Sequence, residues 1–300
     1  MNGWIILDKP LGMGSTQGVG AVKRALREGG YPKVKIGHGG TLDPLATGVL
    51  PIALGEATKL AGRMLDASKI YDFTITFGTQ TDTLDLEGKV IATSDVLPAV
   101  TEVETVLGRF TGPIDQVPPA YSALKVDGKR AYDLARAGED VVLASRSVVI
   151  HTLALCPEPV VEKTDAVCEI TLTAHVSKGT YIRSLARDIA LALGTVGHAT
   201  MLRRTKAGPF TIAQAISLDK LFESARGGAL EDITLPIRTA LDDIPALALS
   251  PDQARLLHHG QVLTGIAACD GLILAMNGDA PLALVEVLNG NVRVVRRFNL

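Results

Sequence analysis

Residues 37–48 read Gly-His-Gly-Gly-Thr-Leu-Asp-Pro-Leu-Ala-Thr-Gly, and the rest of the chain is most readily interpreted around this stretch. Its single carboxylate belongs to Asp43, and Pro44 biases the Asp43 backbone away from the helical region and toward an extended conformation. The preceding glycines permit an irregular turn and leave little side-chain bulk against a ligand. A carboxylate held in such a loop can serve as a nucleophile, a base, a metal ligand or a helix cap.

The local pattern leaves a structural alternative open. Asp-Pro is also typical of a helix start, with Asp43 as the N-cap and Pro44 as the first helical residue. The glycines do not fit Gly-x-Gly-x-x-Gly, and they do not fit a P-loop, which ends in Gly-Lys-Ser/Thr. The stretch therefore argues against a phosphate-loop enzyme.

Length and composition predict a globular protein of one large or two ordinary domains, with 300 residues of which 47% are apolar. No apolar run reaches the roughly 20 residues that a membrane-spanning helix needs. The N-terminus lacks the basic and apolar regions of a signal peptide. Cys156, Cys168 and Cys269 form no Cys-x-x-Cys pair, which argues against a zinc site or a disulfide framework. We expect a cytoplasmic protein that is not associated with a membrane.

The net charge of -2 does not by itself indicate a nucleic-acid-binding protein. The charge is unevenly distributed, since basic residues are in excess over residues 1–69 and acidic residues over residues 219–252. Basic clusters recur at residues 23–24, 33–35, 125–136, 203–206 and 293–297. If they share a face they can follow a phosphate backbone, and otherwise they are ordinary solvated surface.

Hydrophobic patterning predicts both helices and strands along the chain. Residues 69–78 alternate strictly and indicate a strand with one buried side. Residues 79–90 indicate a hairpin or exposed loop, in which turn chemistry is favoured over a metal pair of Asp82 and Asp85. Further strands are expected at residues 4–7, 49–54, 148–150 and 166–176. Helices are expected after a cap at Ser15 or Thr16, and at residues 57–65, 100–110, 129–136, 182–193 and 219–226.

An acidic, proline-containing stretch over residues 235–245 marks the predicted domain boundary. It divides the chain into residues 1–245 and a small β-rich domain of residues 246–300.

Several segments resemble the bacterial TruB family of tRNA pseudouridine synthases. Residues 37–48 are similar to its active-site loop, Gly-His-x-Gly-x-Leu-Asp-Pro-x-Ala-x-Gly, although Gly39 stands where many members carry threonine. The other segments are Asp-Lys-Pro-x-Gly-x-x-Ser (8–15), Gly-Glu-Ala-Thr-Lys (55–59), Lys-x-Tyr (69–71), Gly-x-x-Thr-Asp-Thr-x-Asp-x-x-Gly (78–88), the proline-rich residues 116–125, Ser-Lys-Gly-Thr-Tyr-Ile-Arg (177–183) and Leu-Arg-Arg (202–204). The resemblance extends in consistent order from about Gly3 to Thr205.

The resemblance implies a fold and a reaction. The fold is α+β, with a mixed or antiparallel central sheet flanked by helices and, by position alone, a PUA-like RNA-binding domain at residues 246–300. The reaction is the isomerisation of uridine 55 in the T-loop of tRNA to pseudouridine, without a metal or other cofactor. The implied partner is the T-arm of tRNA, and the chain is expected to act as a monomer that requires no protein partner.

The resemblance also assigns roles to residues. Asp43 is the catalytic nucleophile or the stabiliser of a sugar cation, Arg183 pairs with it, and Tyr71 stacks on the target base. The remaining residues that line the nucleotide pocket are His38, Tyr181 and Leu202. The supporting or RNA-binding residues are Lys9, Lys178, Arg203 and Arg204, of which the last two are expected to meet phosphate. Read singly, Tyr71 is typical of a core aromatic, and Lys9 and Arg183 of surface charges.

Two other functions remain open at this stage. One is a guide-RNA-dependent pseudouridine synthase acting with partner proteins, although the compact C-terminus lacks a long basic tail. The other is a tRNA-binding or tRNA-folding module without chemistry. The change Asp43→Asn separates this last function from an enzyme, because it ends isomerisation and leaves RNA binding nearly intact.

Overall fold

The computed structural model describes residues 1–122, 124–126, 128–139, 141, 143–156 and 166–300. Its strands are β1 Gly3–Lys9, β2 Ile36–His38, β3 Ala46–Leu54, β4 Lys69–Phe77, β5 Thr79–Thr81, β6 Val90–Thr93, β7 Gly112–Gln116, β8 Lys125–Val126, β9 Lys129–Arg130, β10 Arg146–Leu155, β11 Glu169–Val176, β12 Gly197–Ala207, β13 Phe210–Thr211, β14 Ala246–Ala248, β15 Gly271–Asn277, β16 Ala280–Leu288 and β17 Asn291–Arg297. Its α-helices are α1 Ser15–Glu28, α2 Ala61–Asp66, α3 Val100–Leu107, α4 Ala131–Arg136, α5 Ile182–Ala192, α6 Leu218–Arg226 and α7 Pro251–His258.

A nine-stranded sheet forms the centre of the molecule. Seven strands follow the order β1-β3-β12-β4-β11-β10-β7, with β2 paired to β3 and β13 paired to β12. Strands β3 and β12 run parallel, and the other strand pairs described in this sheet are antiparallel. The predicted α+β class with a mixed central sheet is confirmed.

The two halves of the sheet are buried differently, and the sequence pattern follows this difference. Strand β1 is covered on both faces, so Trp4, Ile5, Ile6 and Leu7 are all at most 1% exposed and read as a continuous apolar run. Strand β4 is covered on one face, where Phe73, Ile75 and Phe77 join a core cluster with residues of α3 and α5. The strict alternation of residues 69–78 therefore predicted its one buried side correctly.

Most of the predicted elements are present with shifted ends. The helix expected over residues 57–65 is a 3₁₀ segment, Gly55–Leu60, followed by α2, and the helix expected over residues 129–136 begins at Ala131. Strands β5 and β6 form the hairpin expected within residues 79–90, although it extends to Thr93. Ala123, in the proline-rich segment before α4, lies outside the described residues.

Two capping predictions are wrong. Asp43 does not begin a helix, because the amide of Ala46 donates to the Asp43 carbonyl at 3.0 Å and closes a turn that leads into β3. Pro44 stands second in that turn, where its fixed φ is favourable. Helix α1 has Gly14 as its N-cap, and the hydroxyl of Ser15 is instead bonded to Leu42.

The C-terminal residues form a four-stranded sheet, β14-β15-β16-β17, with α7 packed beside it. This confirms a small β-rich unit. The unit has a core cluster of its own, but Leu274, Met276, Leu284 and Phe298 belong to a second cluster together with Trp4. The boundary near residue 245 stays a prediction, since apolar packing continues across it. None of the helices in the described part of the chain is long and apolar enough to cross a membrane.

Candidate active site

The loop that carries Asp43 is fixed to the connection between β1 and α1. The Ser15 hydroxyl accepts a hydrogen bond from the Leu42 amide at 2.7 Å and donates one to the Leu42 carbonyl at 3.0 Å. The amide of Gly12 donates to the Pro44 carbonyl at 2.9 Å. The backbone on both sides of Asp43 is thereby held, while its side chain remains 41% exposed and open to a ligand.

Arg183 pairs with Asp43, as the resemblance implied. Its Nη2 lies 2.8 Å from Asp43 Oδ2, and its Nη1 lies 3.0 Å from Asp85 Oδ2. The same guanidinium donates to the carbonyls of Thr83 at 2.8 Å and Tyr121 at 3.1 Å. The interpretation of Arg183 as an exposed surface charge is wrong, because its side chain is 7% exposed. Its planar fork holds the Asp43 carboxylate by a charge-assisted hydrogen bond.

Asp85 was not predicted as a site residue. Its Oδ1 accepts hydrogen bonds from the Thr83 hydroxyl at 2.5 Å and the Glu87 amide at 3.0 Å, and its Oδ2 faces Arg183. Asp82 has the turn role that was predicted for both residues, with the Lys89 amide donating to its Oδ1 at 2.9 Å. In the described residues, no group of three or more potential ligands could hold a metal ion.

A cavity of about 320 Å³ opens beside the Asp43–Arg183 pair. Tyr71, Tyr181 and Leu202 line its sides, so the structure brings these predicted residues together around the carboxylate. Tyr71 is only partly buried and packs against core clusters on both sides of the site, which leaves part of its ring available. The cavity combines aromatic and aliphatic walls with an ionised pair at one end, a suitable environment for a planar base attached to a sugar.

His38 lies in a second cavity, of about 550 Å³, which also contacts Asp43 and Arg183. The resemblance placed His38 and Tyr71 in one nucleotide pocket, but the structure places them in two adjoining cavities. Burial and then the charge of Arg204 hold the pKa of His38 below its usual value, which favours a neutral imidazole. Its Nδ1 and the hydroxyl of Ser122 in the same cavity are buried without a hydrogen-bond partner among the described residues.

Lys9 lies beneath the loop, and the interpretation of it as a surface charge is wrong. Its side chain is 0% exposed, and its ammonium donates to the carbonyls of Met13 at 2.5 Å, Pro10 at 3.1 Å and Pro44 at 3.3 Å. Burial lowers the pKa of Lys9 to about 8, although the nearby carboxylate of Asp43 acts in the opposite direction. The position agrees with a supporting role for the loop.

The expected phosphate contact of Arg204 stays a prediction, and the structure gives this side chain partners inside the molecule. Arg204 is 1% exposed, and it donates to the carbonyls of Val49 at 2.8 Å, Thr41 at 3.2 Å and Gly40 at 3.2 Å. All three acceptors belong to the Asp43 loop or to the strand that follows it. Arg204 therefore stabilises the loop from below, while part of its side chain lines the first cavity.

Arg203 and Lys178 remain accessible. Arg203 points to the opposite side of β12 and forms an ion pair with Asp8 at 2.9 Å, with 35% of its side chain exposed. Lys178 pairs with Asp66 at 2.9 Å and is 64% exposed, and its neighbours Ser177 and Gly179 line the first cavity. Each of the two side chains can leave its carboxylate partner, Asp8 or Asp66, and bind a phosphate group instead.

Lys69 also lines the first cavity and was not predicted as a site residue. Its ammonium donates to the carbonyls of Ala67 at 2.6 Å and Leu65 at 2.7 Å. Burial and then the charge of Arg204 lower the pKa of Lys69 to about 8. The Lys-x-Tyr spacing was the available signal, because it places Lys69 and Tyr71 at the same end of β4.

Comparisons with known proteins agree with this geometry. The profile described as "TruB family pseudouridylate synthase (N terminal domain)" matches residues 25–182, and "tRNA pseudouridylate synthase B C-terminal domain" matches residues 183–242. A "tRNA pseudouridine synthase B" of Novosphingobium aromaticivorans is 66% identical, with 100% of this chain and 98% of that protein covered. A protein of the same description from Zymomonas mobilis is 57% identical, with 100% and 96% covered.

Solved structures share the fold at lower identity. A "Cbf5-Nop10-Gar1 Complex" matches with a TM-score of 0.69 and 26% identity, covering 95% of this chain and 78% of that one. An "archaeal box H/ACA sRNP Nop10-Cbf5 complex" matches with a TM-score of 0.70 and 25% identity, covering 99% and 86%. Since two family profiles together match residues 25–242 and full-length relatives are more than half identical, the chain belongs to the TruB family of pseudouridylate synthases.

Proposed function

We propose that this tRNA pseudouridine synthase isomerises uridine 55 of the T-loop with Asp43 as the reacting carboxylate. The observation that carries the proposal is the ion pair of Asp43 and Arg183, 2.8 Å apart, at one end of a cavity walled by Tyr71, Tyr181 and Leu202. The relatives that match over the full chain are described as tRNA pseudouridine synthase B, which supports tRNA as the substrate.

The reaction is an isomerisation and needs no other reactant. The bond between N1 of the base and C1′ of the ribose breaks, the base turns over, and a bond forms between C5 and C1′. The proton on C5 leaves and N1 gains one, so atoms and electrons balance. Asp43 acts as the nucleophile or stabilises the sugar cation, and in both routes it must be ionised.

The neighbours of Asp43 account for the other requirements. Arg183 pairs with the carboxylate and fixes its direction. A base taken out of an RNA loop loses its stacking partners, and the ring of Tyr71 provides a replacement. Tyr181 and Leu202 complete the pocket around the base. A neutral His38 in the adjoining cavity can donate and accept hydrogen bonds to the nucleotides beside the target.

The T-arm is the part of the tRNA that the site accommodates in this proposal. Lys178 is accessible beside the first cavity, and Arg203 is accessible on the opposite face of β12; both can meet phosphates of the RNA. The chain acts as a monomer without a protein partner, and residues 246–300 form a PUA-like unit that adds RNA contacts.

The test is release of tritium from a T-arm hairpin that contains 5-tritiated uridine, without guide RNA, metal or nucleotide. Wild type is expected to release tritium, and Asp43→Asn is expected to release none while binding the hairpin within about threefold of wild type. Asp82→Asn is the matched control, because Asp82 lies in a nearby turn and, among the described residues, is bonded to Lys89 and Tyr121 whereas the ion pairs of Arg183 go to Asp43 and Asp85.

No release by wild type, together with tight binding that weakens with salt, would leave a binding module or a guide-dependent enzyme. Full release by Asp43→Asn would exclude Asp43 as the reacting group. An unfolded Asp43→Asn protein is not expected, because the turn at Asp43 is closed by backbone and Ser15 contacts rather than by its carboxylate.

A further inference from the structure

Gln116 ends strand β7 and is 0% exposed. Its side-chain amide forms two hydrogen bonds to the backbone of a single residue. The Tyr181 amide donates to Gln116 Oε1 at 2.8 Å, and Gln116 Nε2 donates to the Tyr181 carbonyl at 3.1 Å. The side chain thus bonds Tyr181 as a neighbouring strand would, and it fixes both peptide groups of that residue.

Arg146 contacts the same tyrosine from the neighbouring strand. It stands opposite Gln116 in the antiparallel pair of β7 and β10. Its guanidinium carbon lies 5.2 Å from the centroid of the Tyr181 ring, within the range of a cation–π interaction. One cross-strand pair therefore holds Tyr181 twice, by its backbone and by its ring.

The position of Tyr181 gives these contacts a consequence for the site. Tyr181 lines the first cavity, is the N-cap residue of α5, and precedes Arg183 by two residues. The first turns of α5 are fixed to the same segment, because Ser184 and Arg187 both donate to the Val117 carbonyl, at 2.9 and 3.1 Å. A shift of residues 116–117 would move the wall of the cavity.

We propose that Gln116 and Arg146 are positioning residues for the isomerisation, Gln116 by fixing the backbone of Tyr181 and Arg146 by fixing its ring. The inference rests on the proposed function, since the ring of Tyr181 is the wall against which the base is placed. Misplacement of a group by about 1 Å can lower a rate about a hundredfold.

The first experiment replaces the amide with an apolar side chain of similar length, Gln116→Met. We expect kcat for tritium release to fall about 10- to 100-fold, while KM for the T-arm hairpin changes less than about threefold. Gln253→Met is the matched control, because Gln253 also bonds a backbone amide, at 2.9 Å from Ser250, but lies in α7 of the C-terminal unit. It is expected to leave kcat at the wild-type value.

A double-variant comparison separates positioning from loss of folded protein. If Gln116 acts through Tyr181, adding Gln116→Met to Tyr181→Ala changes kcat by less than about twofold, because the ring to be positioned is already absent. Multiplication of the two effects would overturn the proposal. Arg146→Met is expected to show the same dependence on Tyr181.

The variant Gln116→Glu tests the proposal through the pH dependence of kcat. If Gln116 only stabilised the fold, kcat per folded molecule would not depend on the protonation of this side chain. A protonated carboxyl reproduces both hydrogen bonds, whereas a carboxylate loses the donor and faces the Tyr181 carbonyl. The ratio of its kcat to that of wild type is therefore expected to rise as pH falls from 8 to 5, with folding followed by circular dichroism. A constant ratio would count against the proposal.

Failure of the inference can be distinguished from failure of the proposed function. If wild type releases no tritium, the proposed function fails. If wild type is active and Gln116→Met has wild-type kcat, the function stands and the positioning role is refuted.

Discussion

Arg183 and Asp85 form a buried ion pair behind the reacting carboxylate, with 3.0 Å between Nη1 and Oδ2 and side chains that are 7% and 12% exposed. Arg183 thus divides its charge between two carboxylates, of which only Asp43 lines the first cavity. Asp85 is itself held by the Thr83 hydroxyl and the Glu87 amide. The hairpin of β5 and β6 therefore carries an anchor that fixes Arg183, and Arg183 in turn fixes Asp43.

Asp85→Asn is expected to lower kcat about 10- to 100-fold without a comparable change in KM. The amide can keep the acceptor for Thr83 and Glu87, but it removes the charge that holds the far side of the guanidinium. Single-turnover tritium release measures the effect. Asp82→Asn, three residues away and outside the ion pairs of Arg183 with Asp43 and Asp85, is expected to retain the wild-type rate. Equal losses in the two variants would assign the effect to the hairpin as a whole.

Arg204→Lys is expected to destabilise the fold by about 2 to 4 kcal/mol, because one ammonium cannot reach the carbonyls of Gly40, Thr41 and Val49 together. Urea unfolding measures this loss. Arg203→Lys, on the exposed side of the same strand, is expected to change stability by less than about 1 kcal/mol. The Arg204 variant should keep the wild-type salt dependence of RNA binding. A weaker salt dependence would show that Arg204 reaches phosphate after all.

The two arginines also show what the sequence could predict and what it could not. Adjacent residues of a strand point to opposite faces, so Arg203 and Arg204 lie on opposite sides of β12. The sequence did not predict this separation, because residues 197–207 were not expected to form a strand. The burial of Arg204 could not be predicted, because its acceptors lie more than 150 residues away in the Asp43 loop and in β3.

Asp85 marks a similar limit. Its local sequence has the composition of a turn, and it does form turn hydrogen bonds. Its role toward Arg183 depends on where the hairpin folds relative to α5, a long-range relationship that local patterns do not carry. By contrast, β1, β3 and β4 of the central sheet were predictable, since they bury continuous or alternating apolar residues as their sequences indicate. Strands β2, β7 and β12 of the same sheet were not predicted.

The buried ammonium of Lys9 is expected to make stability depend on alkaline pH. Its pKa of about 8 lies below the ordinary value of 10.5, so between these values the folded chain releases the proton that the unfolded chain keeps. The unfolded state then binds more protons, and the free energy of unfolding rises with pH. Lys9→Met should lack this rise, so its stability relative to wild type is expected to fall between pH 8 and 10, by on the order of 1 kcal/mol.

Urea unfolding at several pH values between 7 and 10 measures the difference. Lys69→Met should behave in the same way, because burial lowers the pKa of Lys69 to about 8 as well. Parallel curves for wild type and Lys9→Met would show that burial does not lower the pKa of Lys9.

Lys178→Met is expected to weaken hairpin binding severalfold and to reduce the slope of log Kd against log salt by about one, with kcat unchanged. The reason is the exposed position of its ammonium at the rim of the first cavity, where phosphate can replace Asp66. Lys220→Met is the matched control, because Lys220 is also exposed and paired with a carboxylate, that of Glu223, but lies on α6. An unchanged salt slope in the Lys178 variant would exclude a phosphate contact.

Phe298→Ala is expected to destabilise the catalytic part of the molecule as well as the C-terminal unit. Phe298 is 2% exposed and lies in the core cluster that contains Trp4 and Phe210. The neighbouring backbone is also attached to the catalytic part, since Lys59 donates to the Arg297 carbonyl at 2.9 Å. Loss of the ring should cost about 3 to 5 kcal/mol.

Thermal unfolding followed by circular dichroism and by the fluorescence of Trp4 measures the effect. Because Trp4 is in β1, a shared core predicts that both signals shift together to lower temperature in a single transition. Leu300→Ala, at a side chain that is 59% exposed, is expected to leave the transition in place. If only part of the circular dichroism signal shifts while the Trp4 transition stays where it was, residues 246–300 unfold independently, as a separate domain beginning near residue 245 would.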